Sequence, residues 1–248
     1  MCIVLMYEAL CAMMLLYTIC LTAGNPVGKV GVILTVFALV LISAPVSAGH
    51  FNPAITLAVY ISNKEWRKDW DFCLLIMLAA FVGAWWGCSL GWLSLYNPDG
   101  ENPTKAGIPE SEVVGLGSGR GLSLTNVMFL EIFTTFIFVY SVLVVKTGTL
   151  APTGEIILAS LATSQTLLAM VILEAQETGA ALNPAIGFSL TLYSIVNYGW
   201  QDDTGKQFAV YVFAPYVGGA LAGIFHKGHL KAFKAMNFGA PRTSRLVG

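Results

Sequence analysis

The stretch that decides this fold reads Ser-Ala-Gly-His-Phe-Asn-Pro-Ala-Ile-Thr-Leu-Ala at residues 47–58. It returns in altered form as Thr-Gly-Ala-Ala-Leu-Asn-Pro-Ala-Ile-Gly-Phe at residues 178–188. Each copy places small residues before Asn-Pro-Ala and apolar residues after it, and each follows a long apolar segment. Asn-Pro normally marks an exposed turn, so this position is unusual. The two copies indicate an internal repeat.

Each Asn-Pro-Ala motif has the features of a helix start. Asn is a strong N-cap, and Pro is well tolerated at the first helical position. About nine apolar residues rise only ~14 Å, which is half of a bilayer core. A half-helix inside a membrane must begin where water or protein satisfies its backbone. We therefore expect Asn52 and Asn183 to begin two half-helices that meet at the midplane and direct their positive dipole ends at one pathway.

Composition places the chain among membrane proteins and excludes several functions. Of its 248 residues, 56% are hydrophobic and only 11% are charged, whereas soluble domains have about 25% charged residues. A net charge of −1 gives no support for nucleic-acid binding. No nucleophile–base pair, nucleotide loop or metal-ligand spacing suggests an enzyme, a cofactor or a metal site. The five cysteines lie in or beside apolar segments and are interpreted as small hydrophobic residues.

The apolar segments predict an all-α membrane protein with six transmembrane helices and two re-entrant half-helices. The spans are expected at about 3–23, 28–48, 72–95, 122–146, 154–174 and 208–226, and the half-helices at about 53–61 and 184–194. Each half has three spans, so the second half enters the membrane from the opposite side and the repeat is inverted. We predict one domain over 1–248, with repeats at about 1–95 and 122–226, a connecting loop at 96–121 and a C-terminal tail at 227–248.

The distribution of Lys and Arg predicts the orientation. Nine of them fall on one side of the predicted topology and four on the other. The nine are Lys64, Arg67, Lys68, Lys146, Lys227, Lys231, Lys234, Arg242 and Arg245. The four are Lys29, Lys105, Arg120 and Lys206. By the positive-inside rule, both termini are expected on the cytoplasmic side.

Taken together, these motifs resemble the aquaporins and aquaglyceroporins, the major intrinsic protein family. The resemblance covers nearly the whole chain and rests on the two motifs 131 residues apart (183 − 52), a His before the first motif, one Glu in the first span of each half, and a pattern in the last span. These further residues are His50, Glu8, Glu131 and Tyr211…Pro215…Gly218. The resemblance implies a passive channel that assembles as a homotetramer.

The resemblance also implies roles for individual residues. The motif residues Asn52, Pro53, Ala54, Asn183, Pro184 and Ala185 are expected at the pore, where the two Asn side chains hydrogen-bond the permeant and the two Pro rings meet. An intramembrane carboxylate is a functional-site hypothesis by default, but the resemblance favours Glu8 and Glu131 as structural acceptors for backbone N–H groups. It favours His50 as a brace of its loop over a titrating gate.

The second filter is where this sequence departs from the family. Aquaporins have Arg three residues after the second motif's Asn, and this chain has Ile186 there. The other constriction positions correspond to Val32, Val171 and Ala180. An entirely apolar filter raises a dewetting barrier for water and offers no donors to polyols. Without the Arg, exclusion of cations and protons is expected to rest on the half-helix dipoles alone.

Three interpretations of the chain remain open. The first is a passive channel for water or small uncharged solutes such as glycerol. The second is an aquaporin-like structural subunit of a larger membrane complex, with a poorly conducting pore; the missing Arg and the Trp-rich third span motivate it. The third is a coupled transporter built on an inverted repeat. Such transporters need ionisable midplane groups, for which the sequence offers Glu8 and Glu131.

Overall fold

The computed structural model describes residues 1–23, 25, 27–63, 68–95, 121–146, 150–200 and 204–238. Over these ranges the chain forms helices and no strand. In chain order they are α1 (Cys2–Thr22), α2 (Gly28–Ser47), α3 (Pro53–Ser62), α4 (Trp70–Leu95), α5 (Leu124–Lys146), α6 (Ile156–Glu174), α7 (Pro184–Tyr198) and α8 (Thr204–Phe238).

Six of these helices, α1, α2, α4, α5, α6 and α8, are long and apolar enough to cross a membrane. They expose large apolar side chains on their outer faces, including Trp86 at 59%, Phe133 at 59% and Ile224 at 60%. Such exposure suits contact with lipid rather than water. The predicted fold class, an all-α protein with six spanning helices, is confirmed, and α3 and α7 are consistent with the two half-helices.

Each half-helix packs against helices of the opposite repeat as well as against its own. One buried apolar cluster joins α1, α2 and α4 to residues of α7, including Ala185, Leu190 and Tyr193. The other joins α5, α6 and α8 to Ala54, Ile55 and Ala58 of α3. Each half-helix therefore packs into the opposite repeat, so neither repeat completes its core alone.

Small residues allow the helices to approach closely. A side chain at Gly83 or Gly87 of α4 would meet the backbone of α1 at Ala9 or Met13. On α8, a Cβ added at Gly219 would lie 2.5 Å from the carbonyl oxygen of Ala54. Association inside a membrane depends on such packing, since lipid tails are as apolar as the helices.

Two helices run further than their predicted ends. Helix α7 continues to Tyr198, four residues beyond 194, and ends at Gly199, whose φ of 82° suits glycine. Helix α8 continues to Phe238, so 12 residues of the predicted tail (238 − 226) are helical. Hydropathy marks where the apolar stretch ends, but a helix ends only where a backbone cap or breaker stops it. The predicted connecting loop at 96–121 lies outside the described residues, apart from Gly121.

Two glycines of α8 allow a matched test of this packing. We expect Gly219→Ala to destabilise the protein by about 1–3 kcal/mol, because the added methyl group overpacks the contact with α3. Gly228→Ala should be neutral or stabilising, since nothing lies within 4 Å of its added Cβ and Ala is the better helix former. Thermal unfolding in detergent would measure both variants. Equal midpoints would contradict the close contact between α8 and α3.

Candidate functional site

Both half-helices begin with the same side-chain cap. The Asn52 side-chain oxygen accepts a hydrogen bond from the backbone N–H of Ala54 at 2.9 Å. The Asn183 oxygen accepts one from Ala185, also at 2.9 Å. Each Asn has extended backbone angles and is followed by Pro at the first helical position. The motif therefore fixes the start of each helix by the chemistry expected from its sequence.

The two Asn side chains also bind the opposite loops. The amide nitrogen of Asn52 donates to the carbonyl oxygen of Leu182 at 2.9 Å, and that of Asn183 donates to Phe51 at 3.1 Å. An amide nitrogen has two hydrogens, so each side chain retains a second N–H beyond this bond. Both Asn residues line the same central cavity. The bonds to the opposite loops therefore fix the orientation of both amide groups beside this cavity.

A fully buried carboxylate supports each re-entrant loop from behind. Glu8 accepts hydrogen bonds from the backbone N–H groups of His50 and Phe51 at 3.0 and 2.5 Å. Glu131 accepts them from the corresponding Ala181 and Leu182, both at 3.0 Å. Both Glu side chains have 0% exposure. These contacts satisfy backbone donors that no water reaches inside a membrane.

Hydroxyl groups complete the support of the loops. Ser47 accepts from the N–H of Gly49 at 3.3 Å, and Thr178 accepts from that of Ala180 at 3.0 Å. Thr178 also donates to Glu131 at 2.8 Å. Neither hydroxyl was predicted to bind the loops, although both residues stand five positions before an Asn (52 − 47 and 183 − 178).

The loops have unusual backbone angles at corresponding positions. The residue before each Asn has positive φ, 29° at Phe51 and 51° at Leu182. The residues four and three positions before each Asn also have positive φ: Ala48 at 68° and Gly49 at 63° in the first loop, and Gly179 at 92° and Ala180 at 58° in the second. Non-glycine residues rarely have positive φ, and each such residue costs on the order of 1–3 kcal/mol. The hydrogen bonds that loop N–H groups donate to Glu8 and Glu131 hold the loops in this conformation.

His50 lies within the first loop and borders the central cavity. Its ring Nδ1 is 3.2 Å from the Thr56 hydroxyl, which in turn donates to the carbonyl of Asn52. The ring is therefore linked to the first turn of α3. This position is compatible with the predicted role of His50 as a brace, which stays a prediction.

The central cavity has a volume of about 70 Å³ and is lined by apolar side chains and by both loops. A second cavity, here called the first vestibule, opens beside it and is lined by the α1–α2 turn, including Asn25 and Lys29. The four predicted constriction residues line both spaces. They are Val32, Val171, Ala180 and Ile186. The structure thus brings these residues together where the two cavities meet; their role as a filter stays a prediction.

A third cavity, here called the second vestibule, lies toward the other side. It is lined by Ala44, Ala48, Lys146 and Ser160 among others, and it shares Val40 with the central cavity. The three cavities follow one another through the helix bundle. The Asn pair lies in the middle of this series.

Sequence reasoning missed Glu174, the last residue of α6. Its side chain is fully buried, and its carboxyl group lies beside Glu131 and Thr178. The available signal was an acid nine residues before Asn183 (183 − 174). At the end of an apolar span, such an acid was equally compatible with a position at the membrane surface.

Replacement of one loop-supporting carboxylate should destabilise the protein measurably. We expect Glu8→Gln to lower the free energy of unfolding by about 1–3 kcal/mol, because the amide NH2 of Gln would face a buried backbone N–H from which it cannot accept a hydrogen bond. Glu155→Gln is the matched control, since Glu155 is exposed and its side chain caps nothing. Thermal unfolding in detergent compares the two, and equal midpoints would show that the Glu8 contacts contribute little.

Comparisons with known proteins agree with this geometry. The family model described as major intrinsic protein matches residues 3–226. Aquaglyceroporin-2 of Rhizophagus irregularis is 29% identical over 75% of this chain and 60% of its own length. Aquaporin PIP2-4 of rice, Oryza sativa subsp. japonica, is 29% identical over 84% of this chain and 68% of its own. The match to the first of these relatives thus spans less than two thirds of that relative.

A solved structure supports the same fold. The X-ray structure of the aquaglyceroporin from Plasmodium falciparum aligns with a TM-score of 0.79 and 23% sequence identity. The alignment covers 94% of this chain and 98% of the other. Six apolar helices and these relatives identify an integral, multi-pass membrane protein. The chain belongs to the major intrinsic protein family, whose aquaporins are passive channels and not enzymes.

Proposed function

We propose that this chain is a passive channel for water and small uncharged solutes, with an apolar filter that favours water over polyols. The observation that supports it best is the meeting of both Asn side chains and four apolar residues around one cavity. Two half-helices start at this cavity. Their dipoles place about half a positive charge at each start, which disfavours cations and leaves neutral solutes unaffected.

The apolar character of the filter supports the proposed preference for water over polyols. Water in single file loses its lateral partners beside residues such as Val171 and Ile186, which is the origin of its dewetting barrier, but it keeps hydrogen bonds to its neighbours in the file. A polyol has several hydroxyl groups, and each one that loses its partners costs about 1–3 kcal/mol. Contact between the polyol carbons and the apolar wall offsets only part of this cost. The filter therefore admits water with a smaller penalty than glycerol.

The remaining assignments belong to the same proposal. Asn52 and Asn183 contact the permeant, Pro53 and Pro184 begin the half-helices, and Ala54 and Ala185 follow them in the motif. Val32, Val171, Ala180 and Ile186 form the filter, and Glu8, Glu131 and His50 support the loops. One domain spans the chain, both termini lie on the cytoplasmic side because Lys and Arg concentrate there, and the family resemblance favours a homotetramer.

Permeability measurements on proteoliposomes test the proposal. We expect the wild type to shrink faster than empty liposomes in a water gradient and to pass glycerol more slowly. Ile186→Arg should lower glycerol permeability by about tenfold or more relative to water, because the longer side chain narrows the filter and a tenfold change requires only ~1.4 kcal/mol of barrier. Stopped-flow light scattering follows both solutes.

Ile186→Leu is the matched control, because it keeps the apolar character and volume of the side chain, and we expect wild-type behaviour. If all three proteins conduct identically, Ile186 does not line the constriction. If folded, inserted wild type matches empty liposomes, the channel proposal fails. Co-purification with other subunits in a fixed ratio would then favour the structural-subunit interpretation.

A further inference from the structure

We propose that Lys146 excludes cations from this channel, by placing a positive charge at the second vestibule. The proposal rests on the channel function proposed above and adds a selectivity-determining residue to it. It concerns the mouth opposite Ile186, where the sequence offered no candidate. The residue is the last one of α5.

The ammonium group of Lys146 is fixed on the first re-entrant loop. It donates to the carbonyl oxygens of Ala48 and Gly49 at 3.1 and 3.2 Å. These carbonyls belong to the segment directly before the first Asn-Pro-Ala motif. A lysine side chain is long and flexible, and in solvent it usually adopts many positions. Here two acceptors from adjacent residues hold the ammonium group in one position. The positive charge is therefore fixed beside the first re-entrant loop.

The ammonium group of Lys146 lies beside the series of three cavities. Lys146 and Ala48 line the second vestibule, and Gly49 lines the central cavity. Val40 lines both spaces and marks their junction. A solute that moves between these cavities passes the loop to which the ammonium group is bound.

The nearby carboxyl group of Glu8 is the reason why a positive charge is needed at this loop. Glu8 lies behind the same loop, where His50 and Phe51 donate to it, and it interacts electrostatically with Lys146. Glu8 does not line the three cavities described above, whereas Lys146 lines one of them. Removing Lys146 would remove the positive charge that interacts with the Glu8 carboxyl group behind this loop.

The size of the effect follows from Coulomb's law. Two like charges about 4 Å apart, at the effective dielectric constant of a protein surface, repel enough to reduce cation occupancy by far more than tenfold. Glu8 and dissolved salt reduce this effect, so a change of about tenfold is a conservative expectation. Lys29 at the first vestibule is exposed and is screened more strongly. Lys146 thus supplies, at the second vestibule, a barrier to cations that Ile186 does not supply at the filter.

The competing explanation is that Lys146 only braces the loop. Three substitutions of Lys146 separate the effect of its charge from the effect of its hydrogen bonds to the loop. Lys146→Gln removes the charge but keeps an N–H donor for a loop carbonyl, and Lys146→Met removes both. Lys146→Arg keeps the charge and the donors. Lys231→Met is the control, because it removes the same charge from an exposed position of α8 that lines none of these cavities.

The experiment measures potassium flux and water permeability on the same proteoliposomes for the wild type and these variants. We expect the ratio of potassium to water permeability to rise about tenfold or more in Lys146→Gln and Lys146→Met. Lys146→Arg and Lys231→Met should keep the wild-type ratio. Each variant is compared at equal insertion, determined by protein content of the liposomes.

The outcomes distinguish the two proposals. If the wild type conducts water and Lys146→Gln keeps the wild-type ratio, the charge barrier is wrong even though the channel stands. A rise in Lys146→Met alone would assign the effect to bracing and would also overturn it. If Lys146→Met does not fold, Lys146→Gln alone decides. If the wild type conducts neither water nor glycerol, the channel function itself fails, and this inference fails with it.

Discussion

The structure depends on satisfying backbone N–H groups where the membrane provides no water. A half-helix that begins at the midplane needs a loop to reach it, and such a loop exposes donors that cost several kcal/mol each when buried alone. Glu8 and Glu131 supply the acceptors, from the first helix of each repeat. The loops can then adopt positive φ at Phe51 and Leu182, which turns each chain into its Asn cap. Remove the acceptors and neither half-helix has a stable start at this depth.

The same bonds couple the two repeats. Asn52 donates to the loop of the second repeat and Asn183 to the loop of the first, so each half-helix start is bound to the other. Apolar packing adds to this coupling, because α7 contributes to the apolar cluster of the first repeat and α3 to that of the second. As a result, the donors that face the central cavity are oriented by both halves of the protein at once. Neither amide group can rotate without breaking a hydrogen bond to the opposite loop.

Much of this arrangement could be predicted from the sequence, because the signals were local. Asn-Pro-Ala after an apolar segment identifies a buried helix start, and six apolar stretches identify six spans. Contacts between segments that are distant in the sequence could not be predicted. An apolar helix has no polar face to show its orientation, so Glu174 could not be assigned to the interior. A lysine at the end of a span normally lies at the membrane surface, and only the structure shows Lys146 bound to Ala48 and Gly49. The extension of α8 was missed because hydropathy falls at residue 227 while helix-forming residues continue.

The division between the polar support and the apolar wall explains how selectivity can vary in this fold. Glu8, Glu131, Ser47 and Thr178 all bond the loops, so changes there disturb the backbone itself. Ile186 is the third residue of α7, and its apolar side chain contacts the cavity without forming a hydrogen bond to either loop. Exchanging Arg for Ile at this position changes the wall of the cavity without removing a hydrogen bond that the loops require. The chemistry of the cavity wall is thereby separated from the stability of the fold.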